Sequence, residues 1–138
     1  SGMEKDYKAK HYILKNPTFI RDIETIVKDT SIKIKYVIIP VRDLKMSAKS
    51  RLSHGNDRGG LWNAKNELEQ INFYKDILTK YICVSTKYDI ISIFIDSDKM
   101  INNKTYLFNK LKNILDERNI ELNQFLSVYD EVSSTSKP

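Results

Sequence analysis

At 138 residues the chain has room for one domain with a core of ordinary size, and no apolar run approaches the roughly 20 residues that a membrane-spanning helix needs. Its 23 Lys+Arg against 18 Asp+Glu leave a net charge of +5, which favours anionic partners without demanding them. The single cysteine, Cys83, excludes an internal disulfide and, with no charged-then-apolar leader at the start, predicts a reduced, soluble, cytoplasmic protein with no membrane partner.

Ser1-Gly2 before Met3 reads as the remainder of a cleaved tag. The expected organisation is a single α/β domain over residues 3–132 with a flexible tail over 133–138. The first expected element is a helix over 17–29, started by Asn16-Pro17 and striped by Phe19, Ile20, Ile23, Ile26 and Val27. Residues 32–41 follow as a strand, rich in β-branched side chains and nearly continuous in apolar residues from Tyr36. Pro40 cannot donate to a ladder, so that strand lies at an edge, or it ends or bulges there.

A basic, glycine-bearing loop is expected over 42–60, before a long helix over 60–80. Leu61, Ala64, Leu68, Ile71, Leu78 and Ile82 mark one face of that helix, and Leu68 and Ile71 should lie against the sheet. Residues 90–95 read as a central strand, open to a hairpin with 82–86 across Lys87-Tyr88-Asp89. Asn102 or Asn103 caps a third helix striped by Leu107, Leu111, Ile114 and Leu115, and 125–129 supplies a last strand. The order α-β-α-β-α-β implies a small parallel or mixed sheet covered by helices. If the hairpin forms, a ferredoxin-like βαββαβ arrangement is the alternative.

The loop carries the densest chemistry. Arg42, Lys45, Lys49, Arg51 and Arg58 fall within it, together with Gly55, Gly59 and Gly60, at an expected strand-to-helix junction where backbone N–H groups face an anion. Arg42, Lys49, Arg51, Arg58, Gly59 and Gly60 are therefore candidate phosphate contacts. The glycines do not form a P-loop, because no Lys-Ser/Thr follows them. His11, His54 and Cys83 give no zinc spacing, and no G-x-S-x-G elbow is present. Trp62 reads as a core anchor.

Acids recur at the expected strand ends: Asp43, then Asp96 and Asp98, then Asp130-Glu131. Strand ends favour Asp for turn formation alone, but if these carboxylates converge, Asp43, Asp96 and Asp98 offer the oxygen ligands that suit Mg²⁺ or Mn²⁺. Asp43-Leu44-Lys45 at a strand end, followed by Gln70 and Tyr74 at i and i+4 on a helix, resembles the PD-(D/E)XK nuclease superfamily, in particular its exonuclease branch with Q-x-x-x-Y. The resemblance covers residues 29–74. It implies a metal-dependent nuclease in which Asp43 and Lys45 match the acid and lysine, Gln70 and Tyr74 match the helix motif, and Asp29 matches the upstream acid.

Three functions are thus expected in different classes: a metal-dependent nuclease or a degenerate relative of one, a non-catalytic nucleic-acid-binding module whose Arg42, Lys49, Arg51 and Arg58 grip phosphates, or an interaction and assembly domain. In the last, the helix over 61–80 would present a surface to a protein partner or to a second copy of the chain.

Overall fold

The computed structural model describes residues 13–15, 19–53 and 60–135. Its elements in chain order are α1 (Phe19–Lys28), β1 (Val37–Val41), α2 (Leu44–Ser53), α3 (Glu67–Lys87), β2 (Ser92–Asp96), α4 (Ser97–Asn102), α5 (Lys104–Asp116) and α6 (Leu122–Thr135). The protein is α/β, with one two-stranded parallel sheet among the described residues. The chain divides into two compact units, Ser1–Tyr36 with Leu44–Ile91, and Val37–Asp43 with Ser92–Pro138.

The first unit is helical. In α1, Ile23 and Ile26 point inward at 3% and 4% exposure, the i, i+3 pair that the sequence spacing demands. The helix ends at Asp29, whose Oδ1 accepts the backbone N–H and hydroxyl of Ser31 in a local turn. α3 begins later than its apolar spacing implies, because Asn66 caps it by accepting the Glu69 N–H at 2.9 Å while the Glu69 carboxylate reaches back to the Lys65 N–H at 2.8 Å. It also ends later. Asp89 takes a left-handed φ of 50°, and the N–H of Ile90 reaches back to the Ser85 carbonyl at 2.9 Å, which closes the helix as a Schellman turn.

Two expectations are corrected in α3. Residues 82–86 are helix and not a strand, so the hairpin needed for a ferredoxin-like order is absent there. The inward face is set by Gln70, Tyr81 and Val84, and Leu68 is 67% exposed instead of lying against the sheet. Leu61 and Ala64 are not part of the helix and do not set its phase. Both residues precede the Asn66 cap, and Asn63 between them adopts a left-handed φ of 47°.

In the second unit β1 pairs in parallel with β2, from Val37 opposite Ser92 to Val41 opposite Asp96. Pro40 sits opposite Ile95 and is exposed; a two-stranded sheet consists of edges, where proline is tolerated. Ile95 is buried at 2% exposure, with α4 and α5 against β2 and Leu115 of α5 buried at 8%. α5 ends like α3. Asn119 takes φ 55°, and the Ile120 N–H returns to the Leu115 carbonyl at 2.9 Å.

Residues 125–129, expected as a strand, lie inside α6. Phe125 meets Phe108 edge-to-face at 5.5 Å, and the Tyr129 hydroxyl reaches the carbonyl oxygens of Met100 at 2.9 Å and Ile101 at 2.5 Å. A five-residue segment with four apolar side chains fits either periodicity, and only the wider recurrence of Leu122, Phe125, Leu126 and Tyr129 selects the helix. The observed order α-β-α-α-β-α-α-α therefore replaces strict alternation. α6 also takes in 133–135 of the expected tail, and 136–138 lie outside the described residues.

Candidate nucleic-acid interface

Most of the expected basic loop is helix. α2 covers Leu44–Ser53, while Arg58 and Gly59, with His54 and Gly55, lie outside the described residues. Only Ala48 of α2 is buried, at 0% exposure, and no apolar stripe runs along this helix. At 3.6 residues per turn, Leu52, Lys45, Lys49, Ser53 and Met46 fall side by side in that order, and all five are exposed. Two lysines thus occupy the middle of a solvent-facing surface, with Leu52 and Met46 on its flanks.

Four other lysines among the described residues are held by acids. Lys28 and Lys87 both reach Glu24, at 3.2 and 3.3 Å, Lys104 reaches Asp130 at 2.9 Å, and Lys112 reaches Asp116 at 2.8 Å. The Lys28 hydrogen bond and then that of Lys87 hold the Glu24 carboxyl below the usual range, and Glu24 in turn raises Lys87 above its ordinary value. Lys45 and Lys49 have no acidic partner among the described residues.

Arg51, on the inner side of α2, is placed differently. Its guanidinium lies 3.7 Å from the centre of the Trp62 ring and donates to the Gly60 carbonyl at 2.9 Å. Gly60 is buried, with φ at 28°, a conformation that a Cβ would resist. From α3, the Gln70 Oε1 accepts the Trp62 backbone N–H at 2.6 Å. Gln70 is 0% exposed, and its Nε2 has no hydrogen-bond partner. Sequence spacing carried no signal for this contact set, because it joins three separate segments without a common period; only the expectation of Trp62 as an anchor pointed towards it.

The residues of the nuclease-like motif are placed as follows. β1 ends at Val41, so Asp43 and Lys45 do not share a strand; Asp43 lies in irregular chain of the sheet-bearing unit and Lys45 in the first turn of α2 in the helical unit. Arg42 is exposed beside Asp43. Gln70 and Tyr74 do share one face of α3, with Tyr74 half-buried and its ring 6.4 Å from that of Phe73. Asp29 closes α1.

Asp96 ends β2 and caps α4, its Oδ1 accepting the Lys99 N–H at 2.9 Å, while its own N–H donates to the Tyr106 hydroxyl at 2.9 Å. Asp98 lies in the first turn of α4, and Asp130, expected at a strand end, is on α6 and paired with Lys104. Among the described residues no three His, Cys, Asp or Glu side chains gather into a group that could hold a metal ion. No helix among them is long and apolar enough to cross a membrane. Comparison with protein-family models, curated proteins and solved structures returns no match.

Proposed function

We propose that the protein binds nucleic acid through the phosphate backbone, with the exposed face of α2 as the contact and Lys45 and Lys49 as the phosphate-facing cations. The observation that carries this reading is their placement side by side in the middle of an exposed helix face, with no acidic partner among the described residues. Spaced four residues apart, the two ammonium groups are set about 6 Å apart along the helix, a spacing suited to neighbouring phosphates on one strand. Flexible, hydrated ammonium groups give charge without base readout, so the binding is sequence-independent. A helix lying in a lipid interface has the opposite pattern, with apolar residues central and cations at the sides.

The test is duplex DNA binding followed by anisotropy across a salt series. Wild-type affinity should fall steeply as salt rises. Lys45→Ala and Lys49→Ala should each reduce the slope of log K against log salt by about one unit, with Lys112→Ala as the unchanged control. Salt-independent binding, or none, would sink the reading.

One observation favours a catalytic version as the second reading: Gln70 and Tyr74 share a face of α3, as the nuclease motif asks. That reading gives Asp43 the ion, Mg²⁺ or Mn²⁺, and Lys45 the charge on the phosphodiester. Metal-dependent cleavage lost in Asp43→Asn would support it, and cleavage equal in both proteins would reject it.

A further inference from the structure

The inner side of α2 offers little apolar surface with which to fix its orientation: half-buried Leu44 lies one turn before Ala48. Ala48 is its one buried residue, yet the helix packs on α3 and presents two lysines in a defined direction. What bridges α2 and α3 is the short segment 60–62, held at both ends. Arg51 of α2 binds its first carbonyl, at Gly60, and covers the ring of its last residue, Trp62, while Gln70 of α3 binds the Trp62 N–H. The Gln70 amide is wholly buried with its Nε2 unpartnered, a cost that an apolar side chain of similar size would avoid. Its Oε1 is therefore what the position is used for.

We infer that Gln70 is a positioning residue: through Trp62 and Arg51 it sets the orientation of α2, and so the direction in which Lys45 and Lys49 face a nucleic-acid backbone. Arg51 then serves the interface from behind, as part of this clamp, instead of as a phosphate contact. The inference rests on the nucleic-acid reading for its purpose but not for its geometry, and the two fail separately.

Trp62 is the sole tryptophan, so its emission reports on this clamp alone. Two variants leave the net charge unchanged. Gln70→Leu removes the acceptor, and Arg51→Lys removes the planar group that stacks on the indole. In the free protein both should shift Trp62 emission and speed amide exchange in α2 relative to α1 and α3. Both should also weaken duplex binding several-fold at temperatures well below unfolding, where a residue with a merely structural role would leave affinity unchanged.

The inference is overturned if emission and α2 exchange match the wild type in both variants, or if they change while affinity does not. Should Gln70→Leu fail to fold, Arg51→Lys, which leaves α3 untouched, decides the matter alone. A wild type that binds no duplex removes the proposed function, and the emission and exchange measurements still establish or reject the clamp.

Discussion

The helical unit holds its helices together in two different ways, at two sites along α3. Towards the C-terminal end of α3, α1 is tied down by charge: Glu24 receives Lys28, Lys87 and the Tyr88 hydroxyl, and Lys80 reaches the Arg21 carbonyl at 3.5 Å. At the N-terminal end, α2 is tied down by a stacked guanidinium and two hydrogen bonds to the 60–62 segment. The first arrangement consumes its cations. The second leaves Lys45 and Lys49 on the outer surface with no acidic partner among the described residues.

The comparison breaks most severely if α3 itself is weakened, since both ends depend on it. Tyr81 is 0% exposed on its inner face. Tyr81→Ala should cost about 3–5 kcal/mol, by analogy with other large aromatic truncations. Leu68→Ala, at a position 67% exposed, should stay within about 0.5 kcal/mol of wild type. Urea unfolding of the two variants checks this, and a large loss for Leu68→Ala would return the apolar face to the phase read from the sequence.

The next largest effect separates charge in use from charge in reserve. Lys45→Ala with Lys49→Ala should lower the salt slope of DNA binding by about two units, yet leave the unfolding midpoint nearly unchanged, because neither lysine has an acidic partner among the described residues. Lys28→Ala should do the reverse, lowering the midpoint slightly and leaving binding alone. A double lysine variant that unfolds early would show that these cations are structural after all.

The capping of α3 gives a smaller effect. Asn66→Ala removes the acceptor for the Glu69 N–H, while leaving Glu69 its bond to the Lys65 N–H. It should cost about 1 kcal/mol. Since the cap lies just before Gln70, the same variant should disturb Trp62 emission more than Glu24→Gln does. Equal disturbance would mean that the two arrangements are not separate.

What the sequence revealed follows from how far each signal reaches. α1 was legible because Ile23 and Ile26 repeat at helical spacing within one element, and β1 and β2 because their β-branched runs have no helical alternative of sufficient length. The 82–86 and 125–129 segments were misassigned because a short apolar run fits both periods, and the deciding residues, Tyr81 with Val84 and Phe125 with Tyr129, act through neighbours distant in sequence. The basic residues around 42–51 were visible as a cluster. Their division into free lysines and a committed arginine was not, because it depends on Trp62 and Gly60 returning to α2. Gln70 was singled out as part of a motif, and the structure gives that side chain a hydrogen bond to Trp62 that no linear pattern encodes.

The smallest effect is the pH dependence of the charged arrangement, and its sign is fixed. Glu24 titrates below its ordinary value, because Lys28 and then Lys87 hydrogen-bond its ionised form; its stabilisation is present above the unfolded-state value and is lost as pH falls through the lowered one. Lys87, raised chiefly by Glu24, contributes fully below its unfolded-state value and loses that contribution as pH rises through the raised one. Both groups are solvent-exposed, so the effect is modest and weakens with salt. Wild type and Glu24→Gln should therefore differ in melting temperature at neutral pH and low salt, and converge in acid once the carboxylate is protonated. The Gln70 clamp lies at the other end of α3 from Glu24, so Trp62 emission should remain unchanged across that acid transition while the fold persists. A gap between wild type and Glu24→Gln that survives in acid would mean that Glu24 acts by packing, and the contrast between the two ends of α3 would lose its electrostatic basis.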